Sequence, residues 1–225
     1  MRELLNLSAR LAAISMLVRS DVNFVDVVTD HGYLPIYLFK TKNLKKVIAS
    51  DIAIGPLEKA RCNILEAGLS EKIELYLSDG LKSINLASPC DIVIAGMGGE
   101  LISDIISGKP EIKSSDVNLI LQPMTKAEYL REFLSQNGFD IISEELVQDG
   151  KIYQIILSRY IGKKYELTDS EKLIGKEDVR RKTELFSKFV FQKIKSLRAI
   201  SYGRQIANVD STFEDKLIYE LLKIV

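Results

Sequence analysis

Five places in this 225-residue chain set a carboxylate, an amide or a glycine run directly behind a short apolar stretch. They are Asp26-Val-Val-Thr-Asp-His-Gly-Tyr33, Asp51, Asp79-Gly80, Gly96-Met97-Gly98-Gly99 and Gln122-Pro123-Met124. Polar tips at the carboxyl ends of parallel strands are where an open α/β sheet binds its ligands. Asp51 follows Asp26 by 25 residues, a spacing at which an acid accepts hydrogen bonds from both hydroxyls of a ribose. Asp79 follows Asp51 by 28 more and suits the exocyclic amine of an adenine. The pair fits an adenosine-containing ligand, although aspartate at a strand end is equally a turn or cap residue. Three glycines within Gly96–Gly99 let backbone approach a ligand closely, at an entropic cost that a purely structural turn need not incur. Met97 can pack on a planar base or serve the core.

The first loop narrows the ligand. Nucleotide-binding turns after a first strand carry several glycines, whereas here Gly32 stands alone, Val28 occupies a glycine position and no GxGxxG pattern exists. That argues against NAD or FAD. It leaves the methionine end of an S-adenosylmethionine to be held by Thr29, Asp30 and nearby backbone. Asp30 has the chemistry of a general base or of a carboxylate that stabilises developing positive charge, and equally that of a helix cap. Tyr33 can stack on a base or pack against the sheet. With only Cys62, Cys90 and His31, none at metal-ligand spacing, neither a metal site nor a Cys/His nucleophile is expected.

These tips need elements to hold them. Runs rich in Val, Ile and Leu at 22–28, 46–50, 72–77, 91–95 and 117–122 predict strands, with helices between them at about 33–40, 54–68, 99–107 and 125–137. Such alternation implies a parallel sheet covered on both faces. An amphipathic helix over 3–19 precedes it, through Leu4, Leu7, Leu11, Ile14, Leu17 and Val18. Phe139 to Gln148 and Lys151 to Arg159 are strand-like and separated only by Asp149-Gly150, a favoured hairpin loop. The last strand must then run antiparallel, the plan of class I methyltransferases. After Ile161-Gly162 the pattern turns helical: Phe186, Phe189, Val190, Ile194, Leu197 and Ile200 form one stripe, and Ser211 to Glu214 predicts a capping box for a final helix.

Charge divides the chain in the same place. Residues 1–159 hold 17 Lys and Arg against 21 Asp and Glu, whereas 160–225 hold 14 against 10. Ten of those bases fall within 172–204, including Arg181 and Lys182, with only three acids. This is either a solvated helix face or a polyanion contact. No apolar run approaches membrane-spanning length and the N-terminus lacks a cleavable signal pattern, so a cytoplasmic protein off the membrane is expected.

Taken together, Asp26-Val-Val-Thr-Asp-His-Gly-Tyr-Leu-Pro35, Asp51-Ile-Ala-Ile-Gly-Pro56, Ser78-Asp-Gly80, Ile94-Ala-Gly-Met-Gly-Gly99 and Leu121-Gln-Pro123 resemble the bacterial TrmK family of tRNA (adenine-N1)-methyltransferases. Leu7-Ser-Ala-Arg-Leu11 and the helical tail extend the resemblance over nearly the whole chain. It implies a Rossmann-like α/β class I methyltransferase domain over 1–160 and a C-terminal α-helical coiled-coil domain over 161–225 that contacts tRNA. The implied reaction moves a methyl group from S-adenosyl-L-methionine to N1 of adenine 22 in the D-arm region. Carried onto this sequence, the cofactor positions are Asp26, Thr29, Asp30, His31, Asp51, Ile52, Asp79, Gly80, Gly96, Met97 and Gly98, with Asp30 the catalytic candidate. Arg10, Tyr33, Gln122 and Pro123 would face the substrate. The sequence departs from the family pattern at Val28, where glycine is usual, and at Met124, where asparagine is usual. A small-molecule methyltransferase of the same fold and a non-catalytic RNA-binding module are the alternatives.

Overall fold

Ile92-Val-Ile-Ala95 and Leu119-Ile-Leu121 carry no polar residue, the pattern of strands covered on both faces. In the computed structural model, which describes residues 7–29, 31–180 and 183–225, these runs form the sheet's interior. Its strands are β1 (Asn23–Val27), β2 (Lys46–Asp51), β3 (Ile73–Leu77), β4 (Cys90–Gly98), β5 (Val117–Thr125), β6 (Phe139–Asp149) and β7 (Lys151–Tyr160). They lie in the order β3-β2-β1-β4-β5-β7-β6. The first five are parallel, and β7 inserts antiparallel between β5 and β6. Asp30, Arg181 and Lys182 lie outside the described residues.

Side-chain alternation decides which helices meet which strand positions. Phe24, Val47, Val93, Ile120 and Ile155 share one face and pack against Ile14, Leu34, Leu38 and Ile64. Those partners come from α1 (Ala9–Leu17), α2 (Tyr33–Thr41) and α3 (Ile54–Glu66). Val25, Ile92, Ile94, Leu119, Leu121 and Ile156 turn the other way, onto Ile102, Ile106, Leu130 and Leu134 of α4 (Gly99–Ser107) and α5 (Ala127–Gln136). By the same alternation Asp26, Ala95, Gln122 and Tyr153 fall on the α1 face, at the carboxyl edge of the sheet.

Arg19 fastens the end of α1 to the opposite edge. Its backbone N–H and Nε donate to the fully buried Asp91 carboxylate at 2.6 and 2.8 Å, and its Nη2 donates to the Asp116 carbonyl at 2.9 Å.

Gly96-Met97-Gly98 differs from its expected form as a loop. It is the irregular end of β4, pairing with Pro123 to Thr125 through two register shifts, and α4 starts at Gly99 without a linker. A β-carbon on Gly99 would stand 2.2 Å from the Lys126 carbonyl oxygen, so this glycine serves the crossing of β4 and the start of α5.

The tail comprises α6 (Asp169–Ile174), α7 (Glu184–Ile206) and α8 (Thr212–Leu222). Phe186, Phe189, Val190, Ile194 and Leu197 close against Leu217 and Leu221 as α8 folds back on α7. Ile200, placed in that stripe from sequence, is instead half exposed, and Ser201 takes the inward position. The expected Ser211/Glu214 capping box is also absent. Ser211 makes no cap bond; its hydroxyl donates to Asp215, and Glu214 is drawn inward to Arg204 at 3.1 Å. A complete capping box stands on α6, between Thr168 and Glu171.

The segment leading to these helices clings to the sheet domain. Leu167 joins the main core, and the buried Arg131 donates to Glu144 at 2.6 Å, to the Lys172 carbonyl at 2.8 Å and to Gln154 at 2.8 Å.

Candidate cofactor and substrate site

A cavity of about 400 Å³ opens where β1, β2, β4 and β5 end, within the size range of small-molecule sites. Asp26, Val28, Thr29, His31, Tyr33, Asp51 and Gly96 line it, with Arg10 and Leu11 from α1, Met124 after β5 and Tyr153 from β7.

The acids form one wall. Asp26, next to last in β1, and Asp51, last in the neighbouring β2, are both almost wholly buried. Asp26 accepts a hydrogen bond from the Thr29 hydroxyl at 2.8 Å. Burial pushes its carboxyl up to about 7; the Thr29 bond opposes the rise, the nearby Asp51 adds to it, and Arg10 pulls against it. Asp51 accepts the Ala53 N–H at 2.8 Å, which sets its carboxylate at the entry to α3. The adjacent Ile52 is 64% exposed at the same tip, an apolar surface open to a ligand.

The first loop bends through Val28, whose φ is 66°, a left-handed conformation strongly disfavoured for a β-branched residue. Its N–H and that of Thr29 both donate to the Ser50 carbonyl, at 2.8 and 3.0 Å. The bend therefore persists because β2 holds it from below. The His31 and Tyr33 rings lie 5.4 Å apart, centroid to centroid, along the cavity rim. The candidate base Asp30 lies outside the described residues.

The third wall is a hydrogen-bonded cluster. Gln122 is fully buried, and its Oε1 accepts from Arg10 Nη1 at 2.7 Å and from the Gly96 N–H at 3.2 Å. Its Nε2 donates to the Pro123 carbonyl at 3.1 Å and to the Met124 sulfur at 3.5 Å. Gly96 has φ of 83°, and a β-carbon there would stand 3.7 Å from Arg10 Nη1. Arg10 also lies 5.6 Å over the Tyr153 ring, and its backbone N–H donates to Asp149 at 3.2 Å.

The expected residues thus separate. Arg10, Asp26, Thr29, His31, Tyr33, Asp51 and Gly96 meet at one cavity. Gln122 and Pro123, expected to face the substrate, are buried beneath it because β5 continues as a paired strand through them. Asp79 is exposed, bonded to Lys82, and lines a separate cavity of about 200 Å³ with Leu101 and Ile105. Gly80 is buried beside Ile105, and Met97 packs toward the core beneath α4. Tyr153 escaped the sequence reading. Its only signal was shared alternation with Ile155, close to the Asp149-Gly150 turn.

Residues 7–156 match the family described as a methyltransferase domain. Over 155 residues, 68% of this chain, the sequence is 32% identical to the tRNA (adenine(22)-N(1))-methyltransferase of Bacillus subtilis, and the match spans 65% of that protein's length. The structure of Mycoplasma capricolum TrmK in complex with S-adenosyl-homocysteine superposes with a TM-score of 0.83 at 25% identity, covering 97% of each chain. The chain belongs to the TrmK family. A Streptococcus pneumoniae protein solved with S-adenosyl-L-methionine is also similar, with a TM-score of 0.82 and 30% identity over 96% of this chain and all of that one. Set beside the TrmK pattern, the two departures both reach the cavity: Val28 as the strained bend, Met124 as a thioether where an amide is usual.

Proposed function

We propose that this chain methylates N1 of adenine 22 in tRNA with S-adenosyl-L-methionine as donor. The observation that carries the reading is one cavity joining two buried acids, a guanidinium and two tyrosines at the carboxyl edge of a methyltransferase sheet. When bound, the donor supplies an electrophilic sulfonium methyl group. The donor set fits such a molecule: Asp51 is an acceptor for ribose hydroxyls, Ile52 an apolar face for the adenine, and Asp26 with Thr29 a polar floor for the amino-acid end.

Adenine N1 is the Watson–Crick acceptor, so a paired adenine must leave its helix before it can enter the cavity. Tyr33, Tyr153 and Met124 line the same cavity and offer surfaces on which a flipped base can stack. Asp30 remains the proposed carboxylate that stabilises the charge developing on the ring or accepts the N6 proton. Orientation by these walls can contribute roughly 7–11 kcal/mol of the barrier.

The tail extends the substrate surface. Lys172 and Lys176 pair with Glu132 and Asp140, and Arg204 with Glu214, so much of the tail's positive charge is spent within the fold. Lys188, Lys195 and Arg198 stay exposed on α7 and recur at helical spacing with Phe191 and Tyr202. No acid interrupts residues 185–209. We assign this face to tRNA phosphates, which makes the cytoplasm the working compartment. The helices of the described residues include none long and apolar enough to cross a membrane, and no metal-binding cluster occurs among them.

A direct test uses a tRNA transcript with adenine 22 replaced by guanine. Labelled methyl groups should enter the unaltered transcript alone; equal labelling of both would contradict the assigned position.

A further inference from the structure

We propose that Lys151 holds a phosphate beside the flipped nucleotide, leaving the Tyr153 ring for that phosphate when the target adenine takes the ring. This rests on the methyl-transfer reading and adds to it the step by which the base is captured.

The topology puts Lys151 at the mouth of the cavity. The pairing of β5 with β7 ends at Leu121 and Ile156, so Lys151 to Ile155 run on past it, held by β6. They extend from the carboxyl edge of the parallel strands. Tyr153 lines the cavity, and Lys151, two residues outward on the same face of β7, is exposed above it.

Lys151 is also uncommitted. Among the described residues its side chain touches the Tyr153 ring, with Nζ 5.2 Å from the centroid, and forms no ion pair. Its cross-strand neighbour Asp149 turns its carboxylate to the Arg10 backbone N–H at 3.2 Å instead. Arg10 shares the same ring at 5.6 Å but is anchored through Nη1 to the buried Gln122. Of the two cations on Tyr153, the lysine is therefore the one able to leave. A cation on an exposed ring is weakly held, and a base that stacks there competes for the same surface.

The substrate supplies what the lysine needs. A nucleotide that swings out of its helix brings its flanking phosphates to the entrance of the pocket. An adenine on Tyr153 displaces the ammonium just as a phosphate arrives beside it, so capture of the base and capture of the backbone reinforce each other. The hairpin then leads onward. On its other face, beside Ile152 and the tail core, Lys188 of α7 donates to Gln148 at 3.3 Å, which joins the cavity mouth to the basic face of α7.

The test compares two tRNA transcripts, one unaltered and one with an abasic site at position 22, which removes the base and keeps every phosphate. Binding of each to the full chain loaded with S-adenosyl-homocysteine is followed over a salt series. With the wild type, the unaltered transcript should show the steeper dependence, by the roughly 0.7–0.9 that one phosphate contact contributes to the slope. Lys151→Met should bring the two slopes together at the shallower value, weaken the unaltered transcript roughly two- to five-fold at low salt, and leave affinity for S-adenosyl-L-methionine unchanged. Lys151→Arg should restore the difference.

Equal slopes for the two transcripts on the wild type would overturn the proposal. So would a Lys151→Met variant that lowers both slopes alike, the behaviour of an ordinary surface lysine, or one that preserves the difference. These outcomes leave the methyl-transfer reading standing; a wild-type chain that binds the donor and transfers no methyl group to the unaltered transcript would sink that reading instead, and this assignment with it.

Discussion

Asp26 lies near the end of β1 with almost no solvent contact, and burial raises its carboxyl from the ordinary 3.8 to about 7. The folded chain therefore holds a proton that the unfolded chain releases. Asp26's contribution to stability is full below about pH 4 and is lost as pH rises through about 7. Thermal melts of the ligand-free protein should decline over that window, and Asp26→Asn should flatten the decline; an identical pH profile would argue that Asp26 stays ionised in the fold. Val28 makes the complementary case for backbone. A left-handed β-branched residue costs on the order of 1–3 kcal/mol, so Val28→Gly releases strain that offsets the lost side chain. Its melting temperature should stay close to wild type, whereas Val25→Gly, in the regular part of β1, should fall far below it. Similar losses for the two would remove the strain argument. At this scale chemistry and spacing in the sequence picked out Asp26, Asp51 and the odd valine at a glycine position, which the fold brings to one cavity. Spacing alone did not show that Asp79 pairs with Lys82 and lines a neighbouring cavity.

Elements were more legible than their ends. Alternation of short apolar runs and helical stretches located the strands and the Asp149-Gly150 hairpin, because a buried parallel sheet needs continuous apolar segments and a two-residue loop needs its particular backbone. What the pattern concealed was the continuation of β4 and β5 through Gly96-Met97-Gly98 and Pro123 to Thr125. Glycine and proline read as breakers, yet here they pair irregularly because neighbouring elements need the space. Gly99 tests that explanation. Gly99→Ala would press a methyl group into the Lys126 carbonyl, a backbone clash with no flexible side chain to yield. We expect a loss of about 3 kcal/mol or more in denaturant unfolding, against well under 1 kcal/mol for Gly55→Ala, which meets open space. A stable Gly99→Ala protein would mean that the start of α5 can move aside.

At the scale of the whole molecule, the Ile161 boundary suggested by the change of pattern separates segments that pack together. Tyr165 accepts the Ile141 N–H, Leu167 enters the main core, and Arg131 bridges Glu144 to the Lys172 carbonyl. We therefore propose that a fragment ending after Arg180 folds better than one ending at Ile161, although it uncovers Ile174, Leu146 and Ile152 beneath the lost helices. A lower melting temperature for the longer fragment would contradict this. In the full chain, replacing Lys188, Lys195 and Arg198 with glutamine should leave donor affinity unchanged. It should also weaken tRNA binding and make its salt dependence shallower, because each phosphate contact contributes roughly 0.7–0.9 to the slope. An unaltered slope would reduce the α7 face to a solvated surface. The central claim has one most direct measurement: incubate the purified full-length protein with total tRNA and methyl-labelled S-adenosyl-L-methionine, digest the tRNA, and separate the nucleosides. Label should appear in 1-methyladenosine; label confined to any other nucleoside, or none in tRNA from a chain that binds the donor, would contradict the account.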